Sequence, residues 1–545
     1  MDLQGKTAMS SRLLVLLSAI AFCLLITSHP VECREESFEY LAPSCRKHSV
    51  SITDFGGVGD GVTVNTNAFR NAVAHLAKFS TDGGGQLYVP PGRWLTGPFN
   101  LTSAFTLYLH RDAVILASQV RRSPPLPLAP GRPVSGRTFS LSRVHRGTKS
   151  FILHVCCKFE TGRVKLLISG ALDSHLLVPN KQKTQWPLID ALPSYGRGRD
   201  APGGRYSSLI SGTNLSDVVI TGDNGTIDGQ GEIWWKMFRS KQLNYTRGYL
   251  VELMHSDGIV ISNLTFVNST AWNIHPVYSR NIIVKGVTIL ASLTSPNTDG
   301  INPDSCSHVR IEDCYIVSGD DCIAIKSGWD QYGIAFGMPS KHIYIRRLTC
   351  ISPTSAVIAL GSEMSGGIRD VYAEDIVAIN SETGVRIKTA PGRGGFIKKI
   401  YVRGMTMHTM KWVFGMTGSY GQHPDDKYDP NALPVVKGIC YSNMIAHNVT
   451  TAGKLLGIPK APFTHISISN VTITMANRTS RAWNCSDISG KSRNVTPQPC
   501  SLLPAGHGRK HGDGPCHFPK VKDHTYNVKF KVCTYKNSHV GDKDM

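Results

Sequence analysis

The chain has no C-x-x-C pair among its 14 cysteines, which removes the usual ligand spacing of a structural zinc site. Beyond residue 26 it has no apolar run long enough to cross a bilayer, for which about 20 consecutive apolar residues are needed. Carboxylates are scarce: 39 Asp and Glu stand against 59 Lys and Arg, a formal net charge of +20. That balance points to a polyanionic partner. No nucleic-acid-binding motif is present, so nucleic acid fits poorly and an acidic polysaccharide fits better.

Residues 13–26, LLVLLSAIAFCLLI, follow Lys6 and Arg12. Basic residues ahead of a short, mostly apolar run predict a signal peptide over 1–30, cleaved between Thr27 and Cys33; an uncleaved anchor is the alternative. Two features agree with export. The cysteines suggest disulfides, and Asn-x-Ser/Thr sequons are dense, among them Asn214, Asn244, Asn263, Asn268, Asn448, Asn470, Asn484 and Asn494. We expect a secreted, extracellular monomer, without membrane attachment once the signal is removed and without a cofactor.

After SITDFGGVGDG (51–61), Ala68, Phe69, Val73, Leu76 and Ala77 recur at helical spacing. This predicts a short amphipathic helix able to plug the end of a sheet structure and hide its unpaired edge. Residues 120–185 differ in kind. Their front is rich in Pro and Arg without periodicity, and they hold twelve Lys/Arg against Glu160 and Asp173 alone, half the chain's formal charge of +20. They interrupt segments that read as ordinary strand and turn. The segment reads as a basic insertion, either disordered or a translated intron, since Val120 and Gln185 suit splice borders (GT and CAG). A genuine polyanion-binding insertion is the alternative, and codons retained in every message would favour it.

A repeat decides the fold. IVISNLTF (259–266), IIVKGVTI (282–289), VRIEDCYI (309–316), IYIRRLTC (343–350), VYAEDIVA (371–378), IYVRGMTM (400–407), ICYSNMIA (439–446) and ISISNVTI (466–473) align, with VVITGDNG (218–225) a weaker member. Apolar residues alternate, a polar or glycine pair follows, and an apolar residue resumes. Period-two patterning inside a longer period predicts stacked strand coils burying their apolar faces on one another. The expected fold is all-β, a right-handed parallel β-helix over 48–500 with a short N-terminal capping helix and a loop-rich tail, 501–545. Leucine-rich repeats lack support because the leucine frame is missing, and a β-sandwich would not repeat so regularly.

Three acids stand within one stretch: Asp299 in NTDGI, and Asp320 with Asp321 in SGDDCIAIK. Each precedes a short apolar run, so each belongs at the mouth of a buried strand. Like charges close together raise one another's pKa, and a raised carboxyl beside an ionised one is what acetal hydrolysis needs. A Ca²⁺ site or solvated turn acids is the competing reading. Asp299 lies 17 residues past Ile282, Asp320 and Asp321 lie 11 and 12 past Val309, and Lys388 lies 17 past Val371. Such offsets predict neighbouring faces of successive coils and a groove suited to an extended polymer.

With NTD (297–299), GDD (319–321) and RIK (386–388) in this order and spacing, the chain resembles the polygalacturonases of glycoside hydrolase family 28 over most of 48–500 outside the insertion. The resemblance implies the β-helix and inverting hydrolysis of α-1,4-galacturonosyl bonds of pectin. It implies Asp320 as general acid and Asp299 and Asp321 as bases on the attacking water. Asn297 would shape the site, Arg386 and Lys388 would hold the uronate carboxylate, and Tyr420 would touch substrate. For the basic pair a solvated strand edge, and for Tyr420 ordinary packing, compete with these roles.

One signature departs. The family's Gly-His-Gly is GSEMSGG (361–367) here, with Ser362 in the histidine's place. That position bears on cleavage mode and rate. Glu363 is read as an exposed glutamate, the alternative being partial replacement of the histidine. The loop GWDQYGIAFGMPS (328–340) is long enough to close one end of the groove, which favours exo-acting cleavage. His275 and His308 are read as structural. No metal site is expected. Cys306, Cys314 and Cys322, eight residues apart, are either buried or bridged; Cys485, Cys500 and Cys516 are disulfide candidates. A catalytically weak pectin-binding wall protein and a lyase on the same fold are the competing functions.

Overall fold

The computed structural model describes residues 37–119, the strands Leu153–Glu160 and Arg163–Gly170, and residues 186–477, 482–506, 518–519, 525 and 528–536. The expected signal peptide, Cys516 and most of 120–185 lie outside the described residues. The chain divides into two units, one of them Gln119–Gln185. Within that unit the two described strands pair antiparallel, Leu153 opposite Gly170 and Glu160 opposite Arg163.

The other unit is the parallel β-helix that the repeat predicts. Val218, Ile259, Ile282, Val309, Ile343, Val371, Ile400, Ile439 and Ile466, the first residues of the aligned repeats, are successive parallel partners. None is more than 1% exposed. Each is enclosed by the coils above and below, and full burial of such a side chain stabilises by about 1.5–3 kcal/mol. The ladder continues toward the N-terminus through Phe105, Gly85 and His48. Parallel crossovers of this kind are right-handed because the strand twist allows only that return.

The turn pair has a backbone cause. Its second member has positive φ in all eight strong repeats: Asn263, Gly286, Asp313, Arg347, Asp375, Gly404, Asn443 and Asn470. Asn, Asp and Gly tolerate this left-handed corner best. Arg347 is the exception, and its guanidinium is tied to Asp313 in the coil before, Nε to Oδ1 at 2.5 Å.

A second stack follows the corner, among its strands Thr226–Asp228, Thr265–Val267 and Thr288–Leu290. A third runs through Phe99–Asn100, Ile210–Thr213, Val251–Met254, Ile274–Val277, the bridge residue Ile301, Ile323–Ile325 and Ala356–Leu360. The outer face of this third stack carries the acids. The helix Thr66–Ala77 buries Phe69, Ala72, Val73 and Leu76, and Phe69 stacks on Phe99 with ring centroids 4.6 Å apart. It caps the N-terminal coils.

The tail is tied back to the start. Lys531–Lys536 pairs antiparallel with Ser37–Ala42, and Cys45 is bridged to Cys533. Together they cover Tyr88, Tyr108, Val219, Val260 and Ile283 on the outside of the first stack. Cys322 bridges Cys350 and Cys485 bridges Cys500. Cys306 and Cys314 are buried free thiols, so the eight-residue series divides between bridge and core.

Candidate active site

Asp299 and Asp321 occupy equivalent positions in adjacent coils. The Gly300 amide donates to the Asp321 carbonyl (3.0 Å), and Ile301 pairs with Ile323. A Cβ on residue 300 would stand 2.4 Å from the Cys322 carbonyl oxygen, so this close approach requires glycine. Asp320 is aimed by the Ser318 hydroxyl, which accepts from its amide (2.9 Å), and by Asn297, whose amide donates to its carboxylate (3.4 Å). One oxygen from each of the three carboxylates lies within 4.8 Å of the others.

Their surroundings differ. Asp321 accepts from the Ser355 hydroxyl (2.6 Å), the Ala356 amide (3.0 Å) and Lys388 Nζ (2.5 Å). Asp299 accepts from Asn302 (3.0 Å), with Lys326 Nζ at 3.9 Å. Burial, followed by the negative charge of Asp320, pushes Asp299 up to about 8. Burial and Asp321 likewise raise Asp320. Burial works against ionised Asp321, but Lys388 overrides it and holds this carboxyl below the usual range. One ionised carboxylate therefore stands beside two raised ones. Asp320, the general acid that the resemblance implies, has the raised pKa that role needs, and Asp299 shares it, through burial first and the charge of Asp320 second. The cluster has the donor set for a hard cation, but the ammonium groups of Lys388 and Lys326 already supply positive charge there.

The carboxylates line a cavity of about 290 Å³ that also takes in Asn297, Lys388 and Tyr420. Lys388 lies 5.8 Å from the Tyr420 ring centroid. Its ammonium is engaged with Asp321, so the solvated-edge reading does not hold. Arg386 is not among the lining residues. Its guanidinium turns to Glu382, four residues earlier, at 3.1 Å. Ser362 lines the cavity, but Glu363 is not exposed: it is 1% accessible and accepts ion pairs from Arg199 (2.8 Å) and Lys326 (3.0 Å). Burial would raise its pKa; the two cations hold it well below the usual range instead. His275 is fully buried between Glu252 (2.9 Å) and Asp304 (3.4 Å), and His308 stacks on His342.

Sequence reasoning missed Arg199, Asp200, Trp272 and Lys326, which also line the cavity. Lys326 was within reach, five residues past Asp321 and next to the end of the strand Ile323–Ile325. Arg199 carries no local signal, since it arrives on a loop. That loop is the closing element. Tyr195 donates to Asp304 (2.5 Å), Ser194 meets Tyr278 (2.7 Å), and Arg205 donates to Glu252 (2.5 Å). Segment 186–207 thus covers the groove floor on the N-terminal side of the acids. Pro187, Ile189 and Ser207 line a separate cavity beyond it. Across the mouth, Arg199 donates to Gln422 (2.9 Å) and Arg197 to the Pro424 carbonyl (2.8 Å). Segment 328–340, read from the sequence as a loop, folds around the helix Asp330–Phe336 and supports this closure from behind: the Trp329 amide donates to the Ser194 carbonyl (2.8 Å), and Arg199 lies 4.7 Å over the Trp329 ring.

Residues 198–496 match the family model described as glycosyl hydrolases family 28. A protein named "Probable polygalacturonase" from Vitis vinifera is 56% identical over 521 residues, 95% of this chain and 93% of that one. In fold, the chain is similar to an exopolygalacturonase from Thermotoga maritima, with a TM-score of 0.63 at 24% identity over 85% of this chain and 93% of that one. It is also similar to a polygalacturonase from Erwinia carotovora ssp. carotovora, with a TM-score of 0.56 at 17% identity over 82% and 97%. With the motif order, the stacked coils and the converged aspartates, these matches lead to one conclusion: the chain belongs to glycosyl hydrolases family 28.

Proposed function

We propose that this pectin-degrading glycoside hydrolase cleaves α-1,4-galacturonosyl linkages with Asp320 as the acid that protonates the leaving oxygen and Asp321 as the base that deprotonates water. The single observation that carries the reading is the convergence of Asp299, Asp320 and Asp321 within 4.8 Å. Oxygens that far apart can hold one water between them at ordinary hydrogen-bond lengths. Asp299 positions that water with Asp321 and is the second base when the one proton of the Asp299–Asp320 pair resides on Asp320. Asn297 orients Asp320, and Tyr420 and Lys388 face the bound sugar. This crowding is tighter than the roughly 6.5–9.5 Å usual between acid and base in inverting enzymes, so inversion rests on the family resemblance.

Exo-acting cleavage is supported by segment 186–207, which leaves a cavity where an open groove would be needed to thread a polymer. Secretion is supported by the sequence features of export, and action in the cell wall by the pectin substrate of the family.

Release of reducing sugar from polygalacturonic acid tests the proposal, with Asp320→Asn as control. Activity in the wild type that falls by at least about 100-fold in the variant, the scale of acid–base assistance, supports hydrolysis. Binding without product in the wild type would overturn it in favour of a pectin-binding wall protein, a reading that Ser362 keeps open. An ultraviolet-absorbing unsaturated product would overturn it in favour of a lyase.

A further inference from the structure

Resting on the reading of the cavity as a uronide site, we propose that Arg199 and Lys326, held by Glu363, recognise a substrate carboxylate at the closed end of the cavity and select free uronate over its methyl ester.

The argument starts from charge. Of the cations lining the cavity, Lys388 is committed to Asp321. Asp200 is committed to Arg247, which is fully buried, at 2.8 Å. That leaves Arg199 and Lys326 on the wall facing Asp299, with Glu363 between them at 2.8 and 3.0 Å. Two cations share the buried Glu363 carboxylate, and Lys326 also stands 3.9 Å from Asp299, so Arg199 supplies the spare donors for one further anion.

Geometry keeps the pair in place. Lys326 Nζ lies 4.5 Å from the Trp272 ring centroid, and Arg199 lies 4.7 Å over Trp329. Both cations are thus fixed by a carboxylate on one side and an aromatic face on another before any ligand arrives. The Arg199 guanidinium has five donors; Nε serves Glu363 and one Nη serves Gln422. The planar fork suits a carboxylate, whereas a methyl ester offers neither the charge nor two equivalent oxygens. Because Arg199 belongs to the segment that closes the groove, the residue it reads is the one lodged against that closure. Glu363 touches neither substrate nor the reacting atoms in this scheme; it is a positioning residue.

The test compares trigalacturonate with its fully methyl-esterified form, using the intact protein, Arg199→Gln and Arg199→Lys. Arg199→Gln is expected to raise KM for the acid by roughly 10- to 100-fold, the scale of a hydrogen bond to a charged group, with kcat changed little. The ester should respond much less, so the acid-over-ester preference narrows, and Arg199→Lys should restore part of it. Equal losses on acid and ester, or an unchanged preference, would overturn the proposal. Calorimetric binding of the same two trimers to Asp320→Asn, with and without Arg199→Gln, reads the same preference without turnover. The carboxylate contact is therefore tested even if hydrolysis fails. Product size from long polygalacturonate separately reads whether cleavage is exo.

Discussion

Lys388 sits 2.5 Å from Asp321, and both side chains are almost wholly enclosed. Removing the lysine strands a buried carboxylate, so Lys388→Ala should cost about 3–5 kcal/mol of stability, read as a lower midpoint in urea. The pH dependence follows from the same residues. Asp321 has a lowered pKa, so its contribution to stability is present above the ordinary carboxylate range and is lost as pH falls through its folded value. Asp299 has a raised pKa, so its contribution is present in acid and is lost as pH rises toward about 8. Catalysis needs Asp321 ionised and a proton left on the Asp299–Asp320 pair. A bell-shaped profile of kcat/KM is expected, with its alkaline limb near pH 8. In Lys388→Ala the acid limb should move to higher pH. An acid limb unmoved by that substitution would remove Asp321 from the role of base.

Among the elements, the strands and corners repeat one solution, and segment 186–207 is the departure that gives the groove its closed end. It is anchored by polar contacts at Asp304, Tyr278 and Glu252, by the packing of Leu192 and Tyr195 and by one parallel bridge from Arg205 to Thr246, while its two short strands, Leu188–Ile189 and Arg205–Tyr206, pair with each other. Replacing 194–204 with a short Gly-Ser link should therefore reopen the groove while the coils remain intact. Products from long polygalacturonate should change from monomer to mixed oligomers on a sizing column. Monomer alone from both proteins would show that closure resides elsewhere. Such a variant also lacks Arg199, so its affinity for uronides should fall with the change in product size.

For the whole molecule, the coils close over the point where the insertion departs. The Trp186 indole donates to the Ser118 carbonyl at 2.9 Å, and the Ser118 amide donates to the Thr96 carbonyl at 2.8 Å. The β-helix is thus joined side chain to backbone across the two ends of Gln119–Gln185. A chain in which 120–185 is replaced by a few glycines should fold with its melting temperature and specific activity preserved. A marked loss of either would show the segment to be an integral part of the fold. It would also count against its origin as a translated intron.

The repeat positions, the left-handed corners and the capping helix were legible in the sequence because each is set by near neighbours: alternation buries one side of a strand, and Asn, Asp or Gly permits the corner. The three aspartates were legible for the same reason, since a regular coil converts offset along the chain into position on a face. Arg386 was misplaced because strand position says which face a side chain leaves from, and not which carboxylate it then finds. Glu363 looked like a surface acid because nothing nearby in sequence announces Arg199. Only the tertiary fold brings that arginine, on a loop from 164 residues earlier, to make a buried acid tolerable and a groove into a pocket; long-range electrostatic pairing and loop placement have no period for a sequence to display.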